Sequence, residues 1–226
     1  MCSRYFLTSA PDAVRKLFGH DPAEPFPPRY NIAPTQPVAI VRVSAAGKRE
    51  LALVRWGLIP SWAKDPARFG NLFNARAETA CEKASFRGAM RHRRCLIPAD
   101  GYYEWKGPSG ARRPYLFRLA GGGPMALAGL WEHWLGADGS EIETMAILTV
   151  PANAKVARVH DRMPAILAPE YFDDWLDTRD VRAETAARLL SPAPDDLLDV
   201  FEIGSRVNNP RNEGPELHEF VGGILI

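Results

Sequence analysis

Cysteine is scarce in this chain of 226 residues, which contains only Cys2, Cys81 and Cys95. No two of them form a C-x-x-C pair, and an odd number of cysteines argues against a disulfide framework. The sequence therefore predicts neither a disulfide scaffold nor a zinc site, and a reducing compartment suits it best. We expect the chain to use no metal and no cofactor.

Long apolar runs and a signal sequence are also missing. No segment approaches the roughly 20 consecutive apolar residues that span a bilayer, and the N-terminus lacks a basic region followed by an apolar one. We therefore expect a soluble, cytoplasmic protein with no membrane partner. Because 46% of the residues are hydrophobic, the chain can bury one substantial core, and we expect a single domain over residues 1–226.

Net charge is close to zero, at +1, but it is unevenly distributed. The segment from Lys48 to Arg118 has 15 Lys or Arg against 6 Asp or Glu, whereas Pro164 to Glu202 has 3 against 10. Such asymmetry favours a face that attracts a polyanion such as nucleic acid. Two solvated faces of opposite sign are the alternative.

Apolar, β-branched runs separated by turn residues predict most of the secondary structure. A short strand is expected over Tyr5–Thr8. The longer predicted strands are Pro37–Val43, Glu50–Trp56, Pro114–Leu119, Met125–Trp134 and Glu141–Val150. These segments indicate an α+β fold: a single domain with a mostly antiparallel, barrel-like β core flanked by helices.

The remaining elements are shorter or less regular. Ser9 is the predicted N-cap of a helix that stops at Gly19. Pro22–Pro28 is expected to break regular structure. Asp100-Gly101 predicts a turn that leads into a strand over Tyr102–Trp105. Towards the C-terminus we expect two amphipathic helices, a strand and an apolar tail that packs on the core, over Pro169–Asp177, Val181–Leu190, Phe201–Val207 and Gly222–Ile226.

The second residue, Cys2, would be unusually reactive at the N-terminus. If Met1 is removed, Cys2 carries an α-amine and a thiol on adjacent carbons, and this pair can condense with an aldehyde to give a thiazolidine ring. The amine, with a reference pKa of about 7.7 to 8.0, is partly unprotonated at neutral pH and able to attack. The alternative is a cysteine that merely follows the start codon and enters a strand.

Polar residues elsewhere suit the same chemistry. Glu104 lies among aromatic residues in a predicted strand, where burial would raise its pKa towards the range useful for proton transfer. A salt bridge to an arginine is the alternative. His160 is followed by Asp161 and Arg162, which favours an ordered functional loop over an isolated structural histidine.

Aromatic and basic side chains in the basic segment also fit nucleic acid. Trp56 and Trp62 lie in a predicted loop, where they either stack on unpaired bases or belong to the core. The Arg91-His-Arg-Arg cluster at a predicted helix end suits phosphate, because guanidinium groups grip oxygens bidentately. Cations at that position also offset the helix dipole, which explains part of the cluster without a ligand.

Short motifs in a fixed order resemble the SOS response-associated peptidase (SRAP) family over residues 1 to 210. They are Met1-Cys-Ser-Arg-Tyr, Asn31-Ile-Ala-Pro-Thr, Trp56-Gly-Leu-Ile-Pro-Ser-Trp, Asn74-Ala-Arg-Ala-Glu-Thr, Gly101-Tyr-Tyr-Glu-Trp and His160-Asp-Arg-Met-Pro. Each motif alone is weak, but together they make a chance match improbable.

This resemblance implies roles for individual residues. Cys2 would be the nucleophile, and Asn74, Glu104 and His160 the further catalytic residues. Arg4, Arg76 and Arg162 match positions that hold phosphates, while Trp105 and Thr149 complete the DNA-binding set. One departure is Ser3, where the family usually has Gly, and its added side chain could narrow the approach to the site.

The function that the resemblance implies is that of a sensor for abasic sites in single-stranded DNA, acting in the DNA damage response. Cys2 would crosslink covalently to the abasic sugar through a thiazolidine, with a weak lyase side activity and autoproteolytic removal of Met1. Bound to DNA, the protein would be associated with the nucleoid. Two alternatives stay open: a thiol peptidase that uses Cys2 as nucleophile, and a noncatalytic module that binds single-stranded DNA.

Overall fold

The structure of the chain is a computed structural model that describes residues 2–21, 26–69 and 72–224. Its strands, in chain order, are β1 (Tyr5–Leu7), β2 (Arg29–Ile32), β3 (Pro37–Val43), β4 (Arg49–Trp56), β5 (Asn74–Arg76), β6 (Arg94–Ala99), β7 (Gly101–Lys106), β8 (Arg113–Leu119), β9 (Met125–Leu135), β10 (Glu141–Pro151), β11 (Arg162–Pro164), β12 (Ile166–Leu167), β13 (Leu198–Ile203) and β14 (Phe220–Ile224).

The helices are short and lie between the strands. They are α1 (Pro11–Phe18), α2 (Ala77–Ala80), α3 (Arg87–His92), α4 (Phe172–Leu176) and α5 (Ala183–Ala187). Single 3₁₀ turns occupy Pro66–Phe69, Val156–Arg158, Pro169–Tyr171, Ser205–Asn208 and Pro215–His218. No helix within the described ranges is both long and apolar enough to cross a membrane.

Five strands close into a mixed barrel. The order β10-β4-β3-β6-β9 is completed by pairing of β9 with β10. Only the β10–β4 contact in this ring is parallel, with Thr144 opposite Arg55, and the other four are antiparallel. Because the barrel closes, the strands at the two ends of this order, β9 and β10, form hydrogen bonds with each other. The predicted α+β fold with a mostly antiparallel, barrel-like core is therefore confirmed.

A second, antiparallel sheet lies beside the barrel in the order β14-β13-β8-β7-β1-β2. The chain passes from one sheet to the other at Asp100, between β6 and β7. The predicted turn is therefore present, but it joins strands of different sheets. A Cβ at Gly101 would lie 2.1 Å from the carbonyl oxygen of Phe117, so only glycine fits where the two sheets meet.

The N-terminal segment is fixed by this second sheet. Within β1, Tyr5 pairs with Tyr102 of β7, and the Tyr5 ring packs edge-on against Trp56 at a centroid distance of 5.3 Å. The N–H of Trp56 donates to the carbonyl oxygen of Phe73 over 2.9 Å. Residues just before β1 are thereby held between the barrel and the sheet.

Ser9 is not the helix cap that its position predicts. Helix α1 has Ala10 at its N-cap and no side-chain cap hydrogen bond. The hydroxyl of Ser9 donates instead to Asp100 over 2.5 Å, and the backbone N–H groups of Thr8 and Ser9 donate to the other oxygen of that carboxylate. Because Asp100 is buried where the chain changes sheets, its charge needs these donors more than the helix end does.

Some predicted boundaries also shift. The strand expected over Phe201–Val207 is β13, which lies earlier, and a 3₁₀ turn follows it. The helix expected over Pro169–Asp177 is a 3₁₀ turn followed by α4, and the one expected over Val181–Leu190 is the shorter α5. Within the predicted break at Pro22–Pro28, residues 22–25 lie outside the described part of the chain, as do residues 225–226 of the apolar tail.

Candidate active site

Cys2 lies three residues before the first residue of β1 and is fully buried. Its thiol donates to the carbonyl oxygen of Arg4 at 3.7 Å, and the backbone N–H of Tyr103 donates to the same oxygen at 3.0 Å. Burial raises the pKa of the Cys2 thiol, and the charge of Glu104 raises it further. The resting group is therefore a neutral thiol. Met1 lies outside the described residues.

Asn74 reaches the same residue from the barrel side. It begins β5, which runs parallel to β10 with Asn74 opposite Ile147. Its side-chain Nδ2 donates to the carbonyl oxygen of Cys2 over 2.8 Å, across 72 positions of sequence. Two of the predicted catalytic residues are therefore in direct contact.

Glu104 is in the middle of β7 and only 3% exposed. Because side chains alternate along a strand, Glu104 shares a face with Tyr102, which packs in the same core cluster as Cys2. Burial raises the pKa of Glu104 to about 7, and the charge of Asp161 adds to that shift. At neutral pH the carboxyl group can therefore both give and take a proton.

His160 lies between a 3₁₀ turn and β11. The backbone N–H of Arg162 donates to its Nδ1 over 3.0 Å, while an Asp161 carboxylate oxygen lies 2.9 Å from the same nitrogen. The two contacts require opposite protonation of Nδ1. Burial lowers the pKa of His160, and Asp161, 87% exposed, forms a weak pair. The neutral ring with its proton on Nε2 therefore describes His160 at neutral pH.

Arg162 is held by acceptors of the protein itself. Its guanidinium donates to both carboxylate oxygens of Glu78, at 2.5 and 2.9 Å, and to the carbonyl oxygen of Thr149 at 2.6 Å. Thr149 is buried and lies opposite Arg76 in the β5–β10 register. Arg76 itself is exposed. The three predicted DNA-binding residues on this side are thus neighbours.

Arg4 and Trp105 form a second group of predicted site residues. One guanidinium nitrogen of Arg4 donates to Asn31 Oδ1 at 2.8 Å and to the carbonyl oxygen of Val207 at 2.9 Å. The guanidinium carbon lies 5.6 Å from the centroid of the Trp105 ring, whose N–H donates to Asn208 over 2.7 Å. Arg4 therefore also has a structural role, which the sequence did not reveal.

An open cleft of about 450 Å³ adjoins this second group. It is lined by Ser3, Arg4, Trp105, Ser109, Gly110, Arg112 and Asn208. Ser3 thus borders the cleft. Two larger cavities, of about 550 and 470 Å³, are lined by none of the predicted site residues. Among the described residues, no group of three or more His, Cys, Asp or Glu side chains is arranged to hold a metal.

The tryptophans and the arginine cluster divide between core and surface. Trp56 is fully buried, whereas Trp62 is 56% exposed and available for stacking. In the cluster, Arg94 is buried and donates to the backbone carbonyls of Met90, Trp175, Asp177 and Val181. Arg91 is exposed. At least one of these arginines is therefore structural.

Comparison with known proteins identifies the family. The family model described as SOS response associated peptidase (SRAP) matches residues 1–210. The chain belongs to this family. Among its relatives, the abasic site processing protein YoqW of Bacillus subtilis (strain 168) is 37% identical over 97% of this chain and 99% of its own. The abasic site processing protein HMCES of Xenopus tropicalis is 29% identical over 96% of this chain and 77% of its own.

A solved structure has the same fold. A protein from Bacteroides thetaiotaomicron superposes with a TM-score of 0.85 at 26% identity, covering 96% of this chain and 98% of that one.

Two residues of the SRAP motifs contribute to the site in ways that the sequence did not predict. Asn31 and Glu78 were visible only as motif members, because their partners Arg4 and Arg162 are 27 and 84 positions away.

Proposed function

We propose that Cys2, once freed of Met1, crosslinks covalently to abasic sites in single-stranded DNA and so shields them, with residues 1–226 acting as one SRAP domain. The observation that carries this proposal is the 2.8 Å hydrogen bond from Asn74 to the Cys2 carbonyl, beside a Glu104 whose pKa is about 7. Removal of Met1 would give an aminothiol next to an acid usable at neutral pH. The names of the relatives support abasic sites as the substrate.

The first step opens the sugar. An abasic deoxyribose is mostly a closed hemiacetal, so the ring C–O bond must break before an aldehyde is available. Protonated Glu104 donates its proton to the ring oxygen as the ring C–O bond breaks, the anomeric hydroxyl passes its proton to water, and C1′ becomes a carbonyl. His160, neutral with its proton on Nε2, assists as a hydrogen-bond donor. Acid catalysis of this kind contributes about 10² to 10⁴ in rate.

The next steps form the crosslink. The Cys2 amine attacks C1′, and loss of water leaves an imine. The hydrogen bond from Asn74 to the Cys2 carbonyl orients the amine for this attack. The thiol then adds across the C=N bond, so that sulfur bonds to C1′ and nitrogen ends with the proton. If closure fails, the imine permits β-elimination, which predicts a weak lyase activity.

The mechanism requires a free amine on Cys2. Met1 must therefore be removed, and we propose that the site itself can do this by autoproteolysis, in addition to ordinary processing before a small residue. Intact-mass measurement of the purified protein tests this requirement directly: the mature chain lacks the mass of one methionine. A protein that keeps Met1 cannot form the ring, because its Cys2 nitrogen is part of an amide.

Single-stranded DNA is the proposed partner because the sugar must reach a buried residue, which a stacked duplex obstructs. Arg76 and Arg162 are the proposed phosphate contacts, together with Arg4 where the cleft begins. Trp105 borders that cleft and offers a ring for stacking. Noncovalent binding should therefore depend on salt and little on sequence.

A denaturing gel tests the proposal against its alternatives. Mature protein is incubated with an abasic single-stranded oligonucleotide, and with the undamaged oligonucleotide as control. We expect a covalent band only with the abasic strand, without added reductant. Cys2→Ala keeps the amine but loses the thiol, so its band should appear only after borohydride reduction of the imine.

No covalent band from the mature wild-type protein would overturn the proposal. A thiol peptidase would cleave peptides through Cys2 and leave the DNA unlinked. Against it stands the raised pKa of the Cys2 thiol, because cysteine proteases lower the pKa of their nucleophile. A noncatalytic binding module would bind both oligonucleotides reversibly. This alternative gives no role to buried Glu104 and its raised pKa.

A further inference from the structure

Tyr102 is a buried residue that the mechanism above does not use. In β7 it pairs with Tyr5 of β1 and with Phe117 of β8. Its ring stacks on Phe117 with centroids 4.7 Å apart and an interplanar angle of 4°, and the residue is fully buried. Strand alternation places its side chain on the same face as Glu104, in the core cluster that contains Cys2.

The hydroxyl group of Tyr102 has no hydrogen-bond partner in the described part of the chain. Neighbouring tyrosines are satisfied: Tyr103 donates to the carbonyl oxygen of Tyr30 over 2.7 Å, and Tyr115 donates to Glu202 over 3.0 Å. An unpaired buried hydroxyl destabilises the fold. Phenylalanine would fill the same space without that cost, so stability does not explain the hydroxyl.

The surroundings of the hydroxyl point to the reacting sulfur. The Cys2 thiol is held on the Arg4 carbonyl, which accepts the backbone N–H of Tyr103. The Arg4 carbonyl thus links the Cys2 thiol to β7 at Tyr103, the residue between Tyr102 and Glu104. Burial raises the pKa of Tyr102, and negative charge on Cys2 or on Glu104 raises it further. The phenol therefore keeps its proton and can donate it in a hydrogen bond to an anion nearby.

We propose that Tyr102 is a further catalytic residue, whose hydroxyl donates a hydrogen bond to the Cys2 sulfur as that sulfur becomes a thiolate during ring closure. The inference rests on the proposed function. In this step the S–H bond breaks and its proton passes to ionised Glu104. Sulfur then bonds to C1′, the C=N π pair moves to nitrogen, and Glu104 returns the proton to that nitrogen. Tyr102 gains and loses no proton.

The first test needs no DNA. Tyr102→Phe is compared with the mature wild-type protein and with Tyr115→Phe, which loses a hydroxyl directed at Glu202. Iodoacetamide alkylation of Cys2 is followed by peptide mass spectrometry between about pH 7 and pH 9, the range over which a free thiol begins to ionise. We expect Tyr102→Phe to react about tenfold more slowly at each pH, with Tyr115→Phe unchanged. The melting temperature of Tyr102→Phe should equal or exceed that of the wild type.

The second test follows the reaction with abasic single-stranded DNA. We expect Tyr102→Phe to form the borohydride-trapped imine at the wild-type rate but the reductant-independent crosslink about tenfold more slowly. Equal rates of alkylation and of ring closure in the two proteins would overturn the inference and leave the crosslinking function intact. A wild-type protein that forms no crosslink would overturn the proposed function, and the alkylation rates would then decide the role of Tyr102 towards Cys2.

Discussion

Glu78 holds the guanidinium of Arg162 through both of its carboxylate oxygens, at 2.5 and 2.9 Å. The hydrogen bonds from Arg162 lower the pKa of Glu78, so the carboxylate is charged at neutral pH. An arginine proposed to hold a DNA phosphate is thus already paired within the protein. A phosphate that binds Arg162 has to compete with Glu78 for the same donors.

Replacing Glu78 by Gln should therefore strengthen noncovalent binding of single-stranded DNA. We expect affinity for an undamaged oligonucleotide to rise several-fold, and the slope of log K against log salt to steepen by about 0.7, because one more cation is available to phosphate. Fluorescence anisotropy over a series of salt concentrations measures both quantities. The matched control is Asp173→Asn, which removes the carboxylate that pairs with Arg49 at 2.6 Å. Equal gains in the two variants would contradict a specific role for Glu78.

Much of the β core could be predicted because its signal is local. Strand β3 has the predicted bounds, and β9 and β10 each extend only one residue beyond them. Alternating apolar residues indicate a strand with one buried face, and continuous apolar residues indicate a strand with both faces buried. Closure of the barrel is not local, since it depends on pairing between β9 and β10 and on the parallel contact of β10 with β4.

The sequence motifs predicted which residues form the candidate site. They did not predict the contacts between those residues. Asn74 was assigned a role, yet its partner atom, the carbonyl of Cys2, lies 72 positions away. Ser9 has the sequence of an N-cap, but the buried carboxylate of Asp100 takes its hydroxyl. In both cases a long-range polar group decides the outcome, because a buried charge or carbonyl must be satisfied wherever the donor is in sequence.

Asn74→Asp should impair crosslinking more than folding. The substitution replaces the Nδ2 donor with a carboxylate oxygen, which repels the Cys2 carbonyl and releases the N-terminal residue. We expect the crosslinking rate to fall by about 10², measured by single-turnover gel assays. Asn153→Asp is the matched control, because Asn153 also donates its side-chain amide to a backbone carbonyl, that of Ala193 at 2.9 Å. A similar loss of rate in the control would mean that Asn74 acts through stability alone.

Gly101→Ala should destabilise the fold where the chain enters β7. The new Cβ would lie 2.1 Å from the carbonyl oxygen of Phe117 and 2.6 Å from the ring of Phe6, and the backbone oxygen cannot rotate away. We expect a loss of about 3 kcal/mol in the free energy of unfolding, measured by denaturant titration. Gly88→Ala is the control, since nothing lies within 4 Å of its added Cβ in α3, and it should stabilise by about 0.5 to 1 kcal/mol.

The pH dependence of stability should reveal the raised pKa of the Glu104 carboxyl group. Burial raises the pKa of its carboxyl group from 4.5 to about 7 in the folded chain. Below pH 4.5 both the folded and the unfolded states are protonated at this group. Between that pH and about 7 only the unfolded state ionises, so the wild-type protein loses stability as pH rises. Relative to the wild type, Glu104→Gln should therefore gain up to about 3 kcal/mol over this window. Parallel stability curves from pH 4 to pH 8 would contradict the raised pKa.

The Glu104 carboxyl group should also determine how the crosslinking rate depends on pH. Ring opening needs protonated Glu104, whose fraction falls above pH 7, while attack needs an unprotonated Cys2 amine, whose fraction rises up to about pH 8. The two requirements give a bell-shaped rate profile with its maximum between these values. Glu104→Gln removes the acid, so the descending limb should disappear and the rate at the optimum should fall by about 10² or more. Single-turnover assays at constant ionic strength measure the profile, and a descending limb that persists in Glu104→Gln would assign the acid to another residue.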